Sequence, residues 1–142
     1  MAVEHICLQM KKEADAIQQI THVLKIEGVN ILAVSAATQG DGLQISMVVD
    51  DPEKAVNIFE SKAFSFTIEE VIAAEVPHHP GAVNSIVASL KTAQVDLFQL
   101  YSFLGRSASH AILILVVDKV EEAKKVLKNN WIRLVGEEIY GG

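Results

Sequence analysis

The chain has 142 residues, half of them hydrophobic, and 18 acidic against 12 basic side chains give it a formal net charge of −6. That length supports one compact domain or two small ones, and the acidic balance excludes a general nucleic-acid binder, which needs a basic surface. A single cysteine, Cys7, excludes an intrachain disulfide and a CxxC metal or redox site, and no apolar run approaches the ~18 residues of a membrane span.

The start, MAVEHICLQMKKEAD, has no basic region ahead of an apolar one, so no signal peptide is expected and the protein reads as soluble and cytoplasmic. HICLQM (5–10) has the composition of a short strand, with Cys7 packed as a small apolar residue. Ile17, Ile20 and Leu24 then recur at i, i+3, i+7, one stripe of a helix that Gly28 ends. VNILAVSA (29–36) and LQISMVV (43–49) are strands rich in β-branched residues, joined by TQGDG, which has hairpin composition. DDPEKAVNIFESKAF (50–64) is a helix with a capping Asp before Pro52, acids early and Lys62 late. FSFTI (64–68) is the next strand.

The second half repeats this order. EVIAAEV (70–76) is a strand, and residues 80–93 form a helix with Val83, Ile86, Val87 and Leu90 on its apolar side. Strands over 95–103 and 110–117, a helix over 119–130 and a strand over 131–135 complete it, with Trp131 expected in the core or at an interface. Aligned directly, Ile20 falls on Ile86, Leu24 on Leu90, Val29 on Val95, Asn30 on Asp96 and Ile31 on Leu97, an offset of 66. VVDDPEKAVNIFESKAF falls on VVDKVEEAKKVLKNNWI at an offset of 68, and a two-residue insertion in FLGRSASH reconciles the two. A unit of roughly 70 residues is too long for a solenoid repeat and indicates two copies of one small domain, residues 1–70 and 71–142.

A βαββαβ order folds as a four-stranded antiparallel sheet with both helices on one face. The expected fold class is therefore α+β: two ferredoxin-like units pairing into a continuous antiparallel sheet of about eight strands with helices on one face. A lone unit would leave an edge strand and its other sheet face open.

VPHHPGAVNSIVASLKTAQVDLFQLYSF (76–103), IEGVNI (26–31) and VVDDPEKA (48–55) together resemble the ACT family. The first is similar to the family's x-x-P-G-x-L-x-x-I…G-I-N-I signature, with Val83 in place of the leucine. The order and doubling of these motifs, over nearly the whole chain, are more specific than any one of them. The resemblance implies a pair of amino-acid-binding regulatory domains with no attached enzyme, a regulated enzyme as partner, a homodimer, and a ligand held between two ACT units. By that resemblance the ligand-binding residues are His78, His79, Pro80, Gly81, Ala82 and Val83 on one loop and Val29, Asn30 and Ile31 on the facing strand.

The residues themselves suit such a role. Pro80 is expected at the first helical position, where its missing N–H costs nothing. Gly81 lets a ligand approach the backbone. The amides of Gly81, Ala82 and Val83 at a helix N-terminus form a ready carboxylate site. The first copy differs: Ala14 stands for Pro80 and Asp15 for Gly81, and Glu13 and Asp15 would repel an anion. Asn30 can donate and accept hydrogen bonds, whereas ionised Asp96 only accepts. One competent site per chain is expected.

Other chemistries find less support. Adjacent His78 and His79 point apart in most backbones, and a zinc site needs three or four ligands, so no metal and no cofactor are expected. His5, His22 and His110 are isolated. Phe98, Tyr101 and Phe103 on a sheet could suggest an RNA-binding ferredoxin-like domain, which the negative charge opposes. There is no nucleophile elbow, phosphate-binding glycine loop or Ser/His/Asp set, so no enzyme activity is expected. The alternative to ligand binding is a structural or protein-interaction module whose sites have decayed.

Overall fold

The computed structural model describes residues 2–77, 80–104 and 110–141. The elements are β1 (Val3–Lys11), α1 (Ala16–Ile26), β2 (Ile31–Gln39), β3 (Gly42–Val49), α2 (Pro52–Ser61), β4 (Ser65–Pro77), α3 (Ala82–Thr92), β5 (Leu97–Ser102), β6 (His110–Val117), α4 (Val120–Asn129) and β7 (Arg133–Val135), followed by a 3-10 turn at Glu137–Gly141. Seven strands stand where about eight are expected, because FSFTI and EVIAAEV are one unbroken strand, β4. The chain forms two compact units. Glu4–Glu69 with Tyr140–Gly142 make the N-terminal unit; Glu70–Ile139 with Met1–Val3 make the C-terminal unit.

In the N-terminal unit the strand order is β2-β3-β1-β4, with β4 contributing Ser65–Glu69. Ile6, Leu8 and Met10 alternate along β1 and pair with Met47, Ile45 and Leu43 of β3, so one sheet face is continuously apolar. Ile20 and Leu24 of α1 and Phe59 of α2 close over it, all fully buried. Phe59 meets Phe64 and Phe66 at ring-centroid distances of 6.0 Å each, a spacing at which edge-on aromatic pairs attract. The opposite face is buried too, at Cys7, Ser46, Ala33 and Val48. Cys7 has a polar neighbour rather than a purely apolar one: its Sγ lies 3.5 Å from the Ser46 hydroxyl. β2 and β3 join through Gly40 and Asp41, with Gly40 at φ +60°.

The C-terminal unit repeats the order as β5-β6-β4-β7, with β4 contributing Glu70–Pro77. Ile72 and Ala74 pair with Leu115 and Leu113 of β6. Ile86 and Leu90 of α3 and Leu127 of α4 pack onto that face. Truncating one such fully buried aliphatic side chain to alanine costs about 2–5 kcal/mol. The helical stripes are narrower than the sequence suggests. Ile17 and Val83, equivalent in the two copies, are 43% and 47% exposed, and Val87 is also exposed. The buried residues at these helix starts are Ala16 and Ala82 instead. α3 runs 82–92 rather than 80–93.

All four helices end in the same way. The residue after the C-cap has positive φ: Gly28 (74°), Ala63 (59°), Gln94 (58°) and Trp131 (65°). In each, that residue's N–H donates to the carbonyl three back, and the next N–H donates to the carbonyl five back: Val29 to Leu24 at 2.9 Å, Phe64 to Phe59 at 3.0 Å, Val95 to Leu90 at 2.9 Å and Ile132 to Leu127 at 3.0 Å. These paired bonds satisfy carbonyls the helix leaves open. They also explain Trp131, which does not begin a strand and is not in the core: it occupies the left-handed turn position, is 94% exposed, and β7 starts two residues later. Gln94 holds a conformation that disfavours any side chain with a Cβ. Gln94→Gly, which copies Gly28, should raise the unfolding free energy by about 0.5–1 kcal/mol. Urea unfolding with unchanged slope and a higher midpoint checks this; a lower midpoint would mean the Gln94 side chain contributes more than its backbone strain costs.

Candidate functional site

The start of α3 carries the residues singled out from sequence. Gly81 is its N-cap, with φ 91° and ψ −11°, and the Gly81 carbonyl accepts the Ser85 N–H at 2.9 Å. Pro80 is therefore not the first helical residue but the turn residue before the cap. The reason is local: the left-handed Gly81 must precede the helix, which pushes Pro80 one place out. The N-cap Gly81 offers no side-chain hydrogen bond to the amides of the first turn of α3. Ala82 is buried in the core of the unit, and Val83 is the exposed apolar residue beside the opening. His78 and His79 lie outside the described residues.

The equivalent start of α1 carries an acid at its cap, again with no side-chain hydrogen bond to the helix amides. Asp15 is the N-cap at φ −100°, and its carboxylate accepts from the Gln19 side chain at 3.1 Å. The Ala16 N–H donates to the Glu13 carbonyl at 3.2 Å. An anion there would meet the Asp15 carboxylate. The two starts differ in the cap residue and its backbone, Asp15 at φ −100° against Gly81 at φ 91°.

Asn30 is exposed and already engaged. Its backbone N–H donates to Asp50 Oδ1 at 2.9 Å and its Nδ2 to Asp50 Oδ2 at 3.2 Å, while the Asp50 N–H returns to the Asn30 carbonyl at 3.0 Å. The loop ties the start of β2 to the end of β3. In the other unit the Asp96 N–H donates to Asp118 Oδ1 at 2.9 Å, and the Asp118 N–H donates to the Asp96 carbonyl at 3.2 Å. Asp50 and Asp118 are partners the sequence analysis missed; the signal was present in the VVD that both copies share. Val29 is buried in the N-terminal core and Ile31 is half-buried against it, and the Val29 N–H donates to the Leu24 carbonyl.

Asp51 caps α2 by accepting the Lys54 N–H at 3.2 Å. Its counterpart Lys119 caps nothing, and its Nζ donates instead to the Gln94 carbonyl at 3.1 Å. His5 is buried, and its Nε2 lies 3.2 Å from Glu69 Oε1. Burial pushes the His5 pKa below its ordinary value, against the hydrogen bond and charge of Glu69, which act to raise it. The ring is therefore neutral at pH 7. Among the described residues no three His, Cys, Asp or Glu side chains converge as metal ligands would, and no helix is long and apolar enough to cross a membrane.

The two-unit architecture and the glycine-headed opening of α3 are those of an ACT domain pair. The family model for an ACT domain pair matches residues 1–140, and the chain belongs to that family. Among solved structures the chain is similar to a protein from Bacteroides thetaiotaomicron, at 22% identity and a TM-score of 0.88 over 99% of this chain and 96% of that one. It is similar also to the ligand-free regulatory subunit of aspartate kinase from Thermus thermophilus, at 11% identity and a TM-score of 0.67 over 89% of both chains. The corresponding subunit from Thermus flavus matches at 10% identity and a TM-score of 0.64 over 90% of both chains. At these identities the likeness is one of fold. No curated protein sequence matches the chain.

The conformation of Gly81 sets the effect of replacing it. A Cβ there would meet no atom within 4 Å, yet φ of +91° strains any L side chain. Gly81→Ala should therefore destabilise the protein by about 1 kcal/mol or more through the backbone alone, more than a helix-propensity change at an ordinary cap. Thermal unfolding checks it; an unchanged midpoint would mean the loop relaxes to negative φ at no cost.

Proposed function

We propose that the protein is an amino-acid-binding regulatory protein without chemistry of its own, one ACT domain per unit over residues 1–70 and 71–142. One observation carries the reading: within an ACT pair, only α3 opens on a left-handed glycine with no side-chain cap and no acid at its head. An α-carboxylate placed there meets helix amides and the positive end of the helix dipole. Pro80, Gly81, Ala82 and Val83 supply that end of the site, with His78 and His79 beside them in sequence. Val29, Asn30 and Ile31 supply the other, as backbone groups and the Asn30 side-chain oxygen, since Asp50 already takes the Asn30 donor.

The same engagement of Asn30 favours a second reading, a protein-interaction module whose ligand site has decayed. Under either reading the working form is a cytoplasmic homodimer. Its partner under the first is a regulated enzyme, as the aspartate kinase subunits of like fold are regulatory by name. A thermal-shift series over the twenty amino acids separates the two. Under the first reading one of them, at ~100 times its dissociation constant, stabilises the fold by roughly 2.7 kcal/mol, and light scattering gives about twice the 15.5 kDa chain mass. No stabilisation by any amino acid would leave the interaction module, and a monomeric mass would reject the dimer.

A further inference from the structure

A cavity of about 220 Å³ opens within the C-terminal unit, away from the α3 start, between α4 and the edge of β4 where β7 ends. β7 pairs with β4 only at Ala73–Glu75. Beyond Val135 the chain turns off at Gly136, and the space left is lined by apolar residues of β1, β4 and β7, Val3, Ala73 and Val135 among them, by Gly136 and by two lysines, Lys124 and Lys128. The lysines are four apart on α4 and so share one of its faces.

The other unit serves as a control, because the repeat places different residues at the same positions. Val56 stands for Lys124, Glu60 for Lys128, Phe66 for Leu134 and Ile68 for Gly136. There Phe66 packs on the core against Phe59. The N-terminal copy carries no lysine at these positions, while the C-terminal copy combines a cavity with two cations.

The cations differ in their engagement. Lys124 Nζ is 2.6 Å from Glu70 Oε2, with both side chains about a third exposed or less, and 3.9 Å from Oε1 of the exposed Glu121. Glu70 does not line the cavity. Lys128 is exposed, lies in the last turn of α4 where the helix dipole favours a cation, and makes no ion pair among the described residues. We propose that this cavity binds a small oxyanion, a carboxylate or phosphate group, held by Lys128 and by Lys124, with Glu70 as the internal carboxylate that competes for Lys124. Two adjacent ammonium groups repel a third, so the site selects anions over zwitterionic amino acids. It is independent of the α3 opening and stands whether or not an amino acid binds there.

Calorimetry on the full chain tests it with inorganic phosphate and with acetate as separate probes, against sodium chloride at equal ionic strength. The expected result is saturable binding of at least one oxyanion beyond any chloride effect, and the arm that saturates identifies the head group. Lys128→Gln should weaken it by about tenfold or more, the loss of one charge-assisted hydrogen bond. Glu70→Gln should tighten it, since the competing carboxylate is gone. Gly136→Ile, which sets a branched side chain at a residue lining the cavity, should weaken it. Failure of both anions to bind, or Lys128→Gln with unchanged affinity, would overturn the proposal. So would weaker binding in a folded Glu70→Gln protein, because a structural ion pair and a competing one predict opposite signs.

Discussion

Four times in this chain a helix returns to a strand through the same two backbone hydrogen bonds, and much else depends on that turn. The left-handed residue reverses the chain in a single step. The N–H that follows it bonds back to a carbonyl in the last helical turn. The bonded pair is apolar in every case: Val29 with Leu24, Phe64 with Phe59, Val95 with Leu90, Ile132 with Leu127. The turn therefore delivers one more side chain to the core of its unit at the moment it aims the next strand. It also fixes where Asn30 and Asp96 fall, one residue later, where each meets the aspartate ending the neighbouring strand. That glycine occupies only one of the four positions shows that core packing, not backbone preference alone, holds the turn.

Upon this shared frame the two copies have diverged at their margins. Where the frame needs a residue type, both copies keep it: Ile20 and Ile86, Leu24 and Leu90, Asp50 and Asp118. Where it does not, they differ in charge and size. Asp15 stands against Gly81 at a helix start, Asp51 against Lys119 at a cap, Val56 against Lys124 and Ile68 against Gly136 on a helix-to-strand face. At the two helix starts and on the helix-to-strand face the changes replace an acid or an apolar side chain of the N-terminal unit by a glycine or a lysine of the C-terminal unit.

Most of the frame was legible in the sequence because it follows from periodicity and turn chemistry. Ile6 and Leu8 at period two, Ile20 and Leu24 on one helix face, Gly28 past a helix end and Asp51 before Pro52 are local signals, and local energetics decide them. What was not legible depends on tertiary geometry. Nothing in the spacing of Ile17 and Val83 tells that Ala16 and Ala82 take the inner position instead. Trp131 was expected to begin a strand, in the core or at an interface, yet it fills a left-handed turn and is exposed within the chain. At the candidate site, the glycine of Pro80-Gly81 was legible as a helix start but its left-handed conformation was not, and so Pro80 was placed one residue too far in. The partner of Asn30 was hidden because a contact across twenty residues leaves no local trace, although its duplication as Asp118 was visible.

The central claim is that the two helix starts, alike in frame, differ in their capacity to take a carboxylate. Backbone amide NMR of the full chain, titrated with the amino acid that stabilises it most, reads both starts in one experiment. The account predicts large shifts at Gly81, Ala82 and Val83 and none at Asp15, Ala16 and Ile17. Equal shifts at the two starts, or shifts confined to residues away from α3, would contradict it.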